Sequence, residues 1–506
     1  MSLFSLFFKK NKQKDERITL PTLYEKLKKS SDFRHIKLTV NEAELYICFL
    51  DSLIDRKLLQ NNIICQLKNF SSSNGRISSL EDIKKVLTVQ DIEITADVKI
   101  IETKLLQGYV ALQIKGTDLY CALVNVAMDN LGLRTKNETE NEFSVVGPRI
   151  GFIENIGTNM HLIRKKIVTP NLVFREITIG SISKTKVVIA YIDGITNEQN
   201  VQTVAQRLQE IEFDIVLDTS QLDQLLSDNS SSPFPTFIST ERIDRVVLAL
   251  TQGQVAVLTD QSPYVITGPS SIMDFFISPE DYYLPWIIGS FFRVIRFLGV
   301  MFSILATPVY VAVLTYHYEM LPKGLLGPII YSRSNVPFPP VLEVLFLEIT
   351  IELLREAGAR LPTKVGQTLG IVGGIVIGQA AVEAALTSNV LLIIVALAAL
   401  ASFTTPIFKM SNTIRFLRFP IIVFAALWGG VGIIVAVCFL LIHLGRLQSL
   451  GSPYLVPIYP FRKSNFTDSF IRSSYSLLTK RRSYLRPETL RRYSREKAKK
   501  KKDIDE

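Results

Sequence analysis

The segment VGQTLGIVGGIVIGQAAVEAALT, residues 365–387, lies inside a hydrophobic block that extends from residue 291 to residue 447. At 3.6 residues per turn its glycines share one helical stripe, while Gln379 and Glu383 share the opposite side. Small residues at every fourth position let another helix approach closely in lipid. An amide and a carboxylate at membrane depth need a partner or water. The segment therefore predicts a membrane helix with one wet face and one packing face, the latter formed by Gly366, Gly370, Gly374 and Gly378.

Both faces also have a plainer interpretation. The glycine stripe can be ordinary packing in a membrane protein. Gln379 and Glu383 can form a hydrogen-bonded pair inside a closed bundle, although ionisable residues at membrane depth more often mark function.

Four stretches of the block are long enough to cross the hydrocarbon core of a bilayer, which takes about 20 apolar residues in a helix. They are residues 294–316, 365–387, 390–408 and 419–444. Trp286, Arg293 and Arg296 precede or begin the first stretch, as in a helix that enters through lipid headgroups. We expect an all-α polytopic membrane domain with about four transmembrane helices.

A further apolar stretch, VLEVLFLEITIELLREA at residues 341–357, carries five charges. On a helical wheel Glu343 lies within the apolar face, and the other charges cluster on the opposite side. So many charges disfavour a lipid-facing span, and the pattern predicts an amphipathic helix along the interface or a re-entrant helix. A fifth crossing here is the alternative. It would bring Lys409, Arg415 and Arg418 to the cytoplasmic side but would place the C-terminal tail outside.

The region before the block contains an internal repeat. ELYICFLDSLID at residues 44–55 and VVIAYIDGITN at residues 187–197 are both strand-like runs that end in an aspartate, Asp51 or Asp193. LQGYVAL at residues 106–112 and TQGQVAV at residues 251–257 form a second pair, in which Gly108 corresponds to Gly253. One duplication explains both pairs. We predict two α/β lobes, each a sheet with helices packed on it.

The fold class that follows is a two-lobed α/β domain followed by an α-helical membrane domain. The N-terminus lacks the features of a secretory signal, so we expect the lobes to be cytoplasmic. The predicted boundaries are a mobile arm at 1–35, a first lobe at 36–130, a connecting segment with a helix at 131–186, a second lobe at 187–285, a transmembrane domain at 286–447 and a basic cytoplasmic tail at 448–506.

Composition argues against an enzyme. The four cysteines and four histidines show no disulfide framework and no spacing of a metal site. No phosphate-binding glycine loop, nucleophile elbow or HExxH motif is present, so we expect no cofactor and no metal. Residues 446–506 contain 16 Lys and Arg against 6 Asp and Glu, which accounts for the whole net charge of +10. Because this tail follows a span, anionic membrane lipid is its expected partner, not nucleic acid.

Five ordered motifs carry a resemblance to a known family. The chain resembles the A subunits of GerA-type spore germinant receptors, a likeness that covers about residues 40–486. The motifs are GPRIGFIENIGTNMHLIRKKIVTPNL at 147–172, SSPFPTFISTERID at 231–244, PFPPVLEVLFLEITIELLREAGARLP at 337–362, VGQTLGIVGGIVIGQAAVEA at 365–384 and YLVPIYPFR at 454–462.

The resemblance implies a nutrient-responsive subunit in the inner membrane of the spore, with its N-terminal domain and tail in the cytoplasm. It implies two partners, a transporter-like B subunit and a lipoprotein C subunit. It also implies a homo-oligomeric, ligand-gated cation channel whose opening releases ions and triggers germination. A paralogous group of accessory ion-channel subunits shares the same motifs and stays an alternative, as does a secondary transporter.

The two helix faces and the family resemblance together suggest one hypothesis, an oligomeric pore. If several copies surround an axis, the wet column lines a pore in which rings of glutamate attract cations and rings of valine close the path by dewetting. That column contains Val372, Val376, Gln379 and Glu383. A charged collar or gate at one mouth would be formed by Glu343, Glu348, Glu352, Arg355, Glu356 and Arg360, whose plainer interpretation is a solvated helix face.

Overall fold

The computed structural model describes residues 19–41, 43–72, 77, 79–89, 92–115, 120–128, 142, 146–360 and 378–493. The chain divides into two compact units. The first comprises residues 1–133, 155–177 and 188–193, and the second comprises residues 134–154, 178–187 and 194–506.

The first part of the chain is an α/β region. Its elements are α1 (Leu20–Lys28), β1 (Phe33–Val40), β2 (Ala43–Leu50), α2 (Arg56–Leu58), a π-helical stretch (Leu59–Ile64), α3 (Cys65–Ser72), α4 (Leu80–Val86), β3 (Ile92–Thr95), α5 (Val98–Leu105), β4 (Tyr109–Ile114), β5 (Cys121–Asn125) and α6 (Ile156–Lys166). The five strands form one sheet in the order β1-β2-β4-β5-β3. Every described pair in this sheet is antiparallel.

Side-chain alternation along β2 gives this sheet two cores. Leu45 and Ile47 face a cluster that contains residues of α3 and α4. Cys48 and Leu50 face the cluster on the other side, which contains residues of α1 and α5. Successive residues of a strand point to opposite faces, so a strand buried on both faces reads as the continuous apolar run that the sequence shows.

The second α/β region begins at Leu172. Its elements are β6 (Leu172–Ile179), β7 (Thr185–Ile192), α7 (Glu198–Gln209), α8 (Thr219–Leu226), β8 (Ile238–Thr240), α9 (Ile243–Gln252), β9 (Val255–Thr259), β10 (Val265–Gly268), a 3-10 turn (Ile272–Phe276) and α10 (Glu280–Tyr283). The strand order is β6-β7-β9-β10-β8, the same pattern as in the first sheet. β6 lies inside the segment to which the sequence assigned only a helix.

The residues that defined the sequence repeat occupy equivalent places. Asp51 directly follows β2, and Asp193 directly follows β7. Gly108 and Gly253 each end a helix and begin a strand, with φ of 94° and 100°. Glycine adopts such left-handed conformations without the strain that a β-carbon brings, which explains why both repeats have glycine there.

The remaining chain is helical and ends in a folded tail. Its elements are α11 (Trp286–Tyr316), a 3-10 turn (Tyr318–Met320), α12 (Lys323–Arg333), α13 (Pro340–Arg360), α14 (Gly378–Glu383), α15 (Asn389–Ser402), α16 (Phe408–Arg446), β11 (Gln448–Ser449), β12 (Ser452–Pro453) and 3-10 turns at Lys463–Asp468 and Ser483–Leu485. By length and composition, two helices among the described residues can cross a membrane, α11 and α16, while α15 is a shorter apolar helix. A count of four spans is therefore not established by helix length.

Candidate functional site

Gln379 and Glu383, the predicted wet face of the membrane helix, lie on α14. Gln379 donates from Nε2 to Glu383 Oε1 over 2.9 Å, and both side chains are exposed. Gly378 is buried against Leu392 of α15, where an added β-carbon would stand 3.6 Å from the nearest leucine atom. That is an ordinary contact distance, so an alanine would fit at this position. Gly366, Gly370, Gly374, Val372 and Val376 lie outside the described residues.

The six residues of the predicted collar all lie on α13. They are spread along α13, and the outermost pair is Glu356 with Arg360, which are bonded to each other over 2.6 Å and exposed. Glu352 and Arg355 sit one turn further in, where Glu352 lies 3.5 Å from Arg415 and Arg355 donates to Asn412. α13 thus ends beside the beginning of α16.

Glu348 forms the central ion pair of the helical region. Its Oε2 accepts from Arg418 Nη1 over 2.5 Å, and both side chains are at most 5% exposed. Arg418 also donates to Ser303 Oγ on α11 over 2.7 Å and to the Ala398 carbonyl on α15. One guanidinium therefore ties four helices together. A buried charge of this kind is stable only with such partners.

Glu343 binds the beginning of α13 to the beginning of α15. Its fully buried carboxylate accepts from the Ser388 backbone N–H over 2.7 Å and from Thr387 Oγ1 over 3.3 Å. Ser388 is the N-cap of α15, where a negative charge complements the helix dipole. Arg333 of α12 lies 3.4 Å from the second carboxylate oxygen, and the Tyr310 hydroxyl lies 3.1 Å from Ser388 Oγ.

In the first half of α13, Glu343 and Glu348 point into the bundle together with Val344 and Leu347. The prediction of an interfacial helix expected the charged side to face water, and for Glu348 this is wrong. Leu342, Phe346 and Leu353 are instead exposed. Helical periodicity separates the two faces of a helix but does not say which one faces lipid, and here an exposed apolar face suits a bilayer.

α16 is two helices joined by a sharp reversal at Gly429, whose φ of 61° and ψ of −137° break the helical backbone. We call residues 408–428 the first arm and residues 430–446 the second arm. Phe424 and Phe439 face each other across the arms with ring centroids 6.4 Å apart. Met410 at the start of the first arm shares one apolar cluster with Leu444 at the end of the second. The two arms therefore run antiparallel.

α11 runs alongside this hairpin. At its end the Tyr316 hydroxyl donates to the carbonyls of Ala426 and Leu427, and the Gly430 N–H donates to His317 Nε2 over 3.1 Å. At the middle of α11, Gly299 packs against Thr404, which precedes the first arm. We call the Trp286 end of this bundle the near end and the Tyr316 end the far end. The bend of the hairpin lies at the far end.

The near end is joined to the second lobe. Lys409 on the first arm binds Asp223 of α8 over 2.6 Å. Burial raises the pKa of the Asp223 carboxyl, although the charge of Lys409 opposes this. Arg293 of α11 lies 3.2 Å from both Asp281 and Asp468, one carboxylate before the helix and one in the tail.

The sequence predicts a lipid contact for the basic residues from 480 to 502. Up to Tyr493 the structure gives several of them protein partners instead. Arg482 pairs with Asp274, and Arg481 donates to the carbonyl of Thr251 on α9. The Tyr484 hydroxyl donates to Asp274 over 2.6 Å. This part of the tail is folded onto the second lobe, and residues 494–502 lie outside the described residues.

Within the part of the chain that the structure describes, no three His, Cys, Asp or Glu side chains come together as a metal-binding group. Sequence reasoning also missed the partners that organise the bundle, Arg418 and Ser303. From the sequence, Arg418 was recognised only as a basic residue that a four-span topology places outside. An arginine inside an apolar run was the available signal, because such a residue needs a buried counter-charge.

Comparisons with known proteins agree on one family. The family model described as Bacillus/Clostridium GerA spore germination protein matches residues 21–484. Spore germination protein GerQA of Bacillus cereus is 48% identical over 484 residues, which are 96% of each chain. Spore germination protein GerIA of Bacillus cereus is 46% identical over 481 residues, covering 95% of this chain and 71% of that protein. The crystal structure of the N-terminal domain of the A subunit of the Bacillus megaterium spore germinant receptor GerK3 is 27% identical, covers 49% of this chain and 92% of that one, and superimposes with a TM-score of 0.37.

Proposed function

Because the chain belongs to the Bacillus/Clostridium GerA spore germination protein family, we propose that it is the A subunit of a nutrient-responsive germinant receptor and oligomerises into a ligand-gated cation channel. Its expected partners are a transporter-like B subunit and a lipoprotein C subunit in the inner membrane of the spore. Opening of the channel releases monovalent cations and commits the spore to germination. The two α/β lobes are the product of a duplication and lie in the cytoplasm.

The observation that carries the channel proposal is the exposed Gln379–Glu383 pair. Four residues, 384–387, separate the end of α14 from Ser388. The Ser388 hydroxyl is hydrogen bonded to the hydroxyl of Tyr310 on α11. Tyr310 lies six residues, about 9 Å, before the end of that helix. A carboxylate at this depth faces either a partner or water. An oligomer that gathers several copies of α14 around an axis supplies both.

Contacts along the bundle support six crossings with both termini on the cytoplasmic side. α11 runs from the near to the far end, and α13 returns, since Arg355 lies beside Asn412. Ser388 lies beside Tyr310 and therefore at the far end, and we assign the crossing between α13 and α15 to the span that the sequence predicts at residues 365–387. α15 and then the two arms of α16 complete the path. The proposed topology places both Lys409 and the tail on the cytoplasmic side.

The test is reconstitution of the full chain, alone and with its co-expressed partner subunits, in a planar bilayer. Discrete steps of cation current are the expected result. Saturable flux coupled to a second solute would instead indicate a secondary transporter, and silence in both preparations would contradict a channel. The particle size in detergent gives a second check, since a monomer cannot enclose a path with one polar face of α14.

A further inference from the structure

A loop of the second lobe is seated between the two arms of the hairpin. We call residues 232–236, which lie between α8 and β8, the 232–236 loop. Ser232 Oγ lies 2.9 Å from His443 Nε2 on the second arm. The Pro233 carbonyl accepts from Thr413 Oγ1 on the first arm over 2.6 Å. Two successive residues of the loop therefore bind different arms.

Phe234 fills the space between these two hydrogen bonds. Its side chain is 5% exposed and belongs to an apolar cluster with Met410 and Ile414 of the first arm and Leu444 of the second. Its ring centroid lies 6.0 Å from that of His443. A buried phenylalanine between two helices fixes their separation, because close-packed side chains leave no room for one arm to shift alone.

The loop is also hydrogen bonded to residues that follow the second arm and to the end of α8. The Tyr454 hydroxyl donates to the Pro235 carbonyl over 2.9 Å, and Ser449 Oγ donates to the Thr236 carbonyl over 2.7 Å. Ser227, at the end of α8, lies 3.0 Å from the Thr236 hydroxyl. A displacement of α8 would therefore move the loop through the Ser227–Thr236 hydrogen bond. Because Phe234 packs against both arms, its displacement would change their packing.

From the first arm, a series of direct contacts leads deeper into the bundle. Arg418 follows Thr413 by five residues, about 7.5 Å along the helix. It binds Glu348 of α13, and Glu343 on the same helix binds the N-cap of α15, Ser388. α14, with Glu383, directly precedes that cap.

We propose that the 232–236 loop is the coupling element through which the cytoplasmic lobe opens the pore, with Phe234 as the wedge that sets the spacing of the hairpin arms. This inference rests on the channel function proposed above and adds the place where the soluble and membrane parts exchange force. In this proposal the arrangement seen here, with Phe234 between the arms, is one of two states of the loop. Coupling between distant sites requires such a two-state element.

The test fixes the loop to the second arm. Ser232→Cys and His443→Cys are combined in a chain that also carries Cys65→Ser and Cys438→Ala, and the two introduced thiols are bridged with a short bifunctional methanethiosulfonate. Cation flux is recorded in vesicles of spore inner membrane, which retain the complete receptor, before and after nutrient addition. We expect the bridge to lower the nutrient-triggered flux about tenfold or more and reduction to restore it.

The matched control bridges Ile442→Cys to Arg446→Cys, two exposed positions one turn apart on the second arm. That bridge does not join loop to arm and should leave the flux unchanged. Unaltered flux through the bridged variant that carries Ser232→Cys with His443→Cys would overturn the coupling role. If the reduced variant and the unmodified receptor both fail to conduct, the channel function itself is wrong, so the two failures are distinguishable.

Discussion

Arg418 on the first arm of α16 donates to Glu348 on α13 over 2.5 Å, 70 residues away in the sequence. Removing one member leaves the other charge buried without its partner, which typically costs about 3–5 kcal/mol. We expect Arg418→Gln or Glu348→Gln to lower the unfolding temperature of the detergent-purified protein strongly. The double variant should lose less than the sum of the two single losses, because it leaves no orphaned charge.

The exposed pair Glu356 and Arg360 is the control for this experiment, since a surface ion pair contributes about 0–1 kcal/mol. Arg360→Gln should therefore change the unfolding temperature little. Equal, small losses from Arg418→Gln and Arg360→Gln would show that the central pair does not hold the bundle together.

Gly429 should not tolerate a side chain. Its φ of 61° with ψ of −137° is strained for other residues by about 1–3 kcal/mol, and an added β-carbon would stand 2.9 Å from Tyr316 and 3.0 Å from His317. We expect Gly429→Ala to reduce the amount of folded protein in the membrane, measured by immunoblot and by gel filtration in detergent. Gly445→Ala on the second arm, where nothing lies within 4 Å, should accumulate normally.

Much of the α/β region could be predicted from sequence because its signals are local. A strand run that ends in aspartate and a helix that ends in glycine recur, and Asp51 with Asp193 and Gly108 with Gly253 do occupy equivalent places. The lobe boundary was harder. β6 begins at Leu172, where FREITI alternates apolar and polar residues weakly, so nothing marked it as the first strand of a sheet.

The membrane region could be predicted less well, because its structure depends on contacts between distant residues. The apolar run from 419 to 444 reads as one span, and its glycine pair Gly429-Gly430 resembles the pair Gly373-Gly374. The bend is identified by the backbone angles of Gly429 and by its contacts with Tyr316 and His317, which the sequence does not show. The inward direction of Glu348 likewise depends on Arg418, and the fate of the basic tail depends on carboxylates more than 180 residues earlier, such as Asp274.

Asp223 and Lys409 should make stability depend on pH. Burial raises the pKa of Asp223 above its ordinary value of about 4, so the folded state binds the proton more tightly than the unfolded state. This group therefore costs stability as the pH rises from about 4 through the raised pKa. We expect Lys409→Met, which removes the opposing charge, to steepen that loss in unfolding experiments across about pH 4 to 7.

The combined variant Asp223→Asn with Lys409→Met should abolish the added pH dependence, because no titrating group then remains at the pair. A pH profile of Lys409→Met that is parallel to the wild type would contradict the assignment of the effect to Asp223.

The six-crossing topology can be tested by labelling introduced cysteines. It shares two expected results with a four-crossing topology in which α13 lies along the interface, and it differs from that topology at Lys409. Gly324 on α12 has nothing within 4 Å of the position that a β-carbon would take and lies beyond the far end of α11, while Gln448 follows the second arm at the near end. In a chain with Cys65→Ser and Cys438→Ala, a membrane-impermeant maleimide should label Gly324→Cys from outside and Gln448→Cys from inside. Lys409→Cys, which separates the two topologies, should be labelled from inside under six crossings and from outside under four.

The proposed pore depends on Glu383 as a residue that lines it. Its carboxylate is exposed on α14 and is hydrogen bonded only within its own helix to Gln379 among the contacts described. If copies of α14 surround the axis, the ring of carboxylates concentrates cations at the mouth. Glu383→Gln should then lower the single-channel cation conductance several-fold at low salt. The difference should shrink toward about 1 M salt, where the Debye length is about 3 Å and the attraction is screened. Glu356→Gln, which neutralises another exposed carboxylate at the near end of α13, is the control and should matter less. Equal conductance of Glu383→Gln and the wild type at low salt would mean that Glu383 faces lipid or a partner subunit, and the conducting path would have to be sought elsewhere in the bundle.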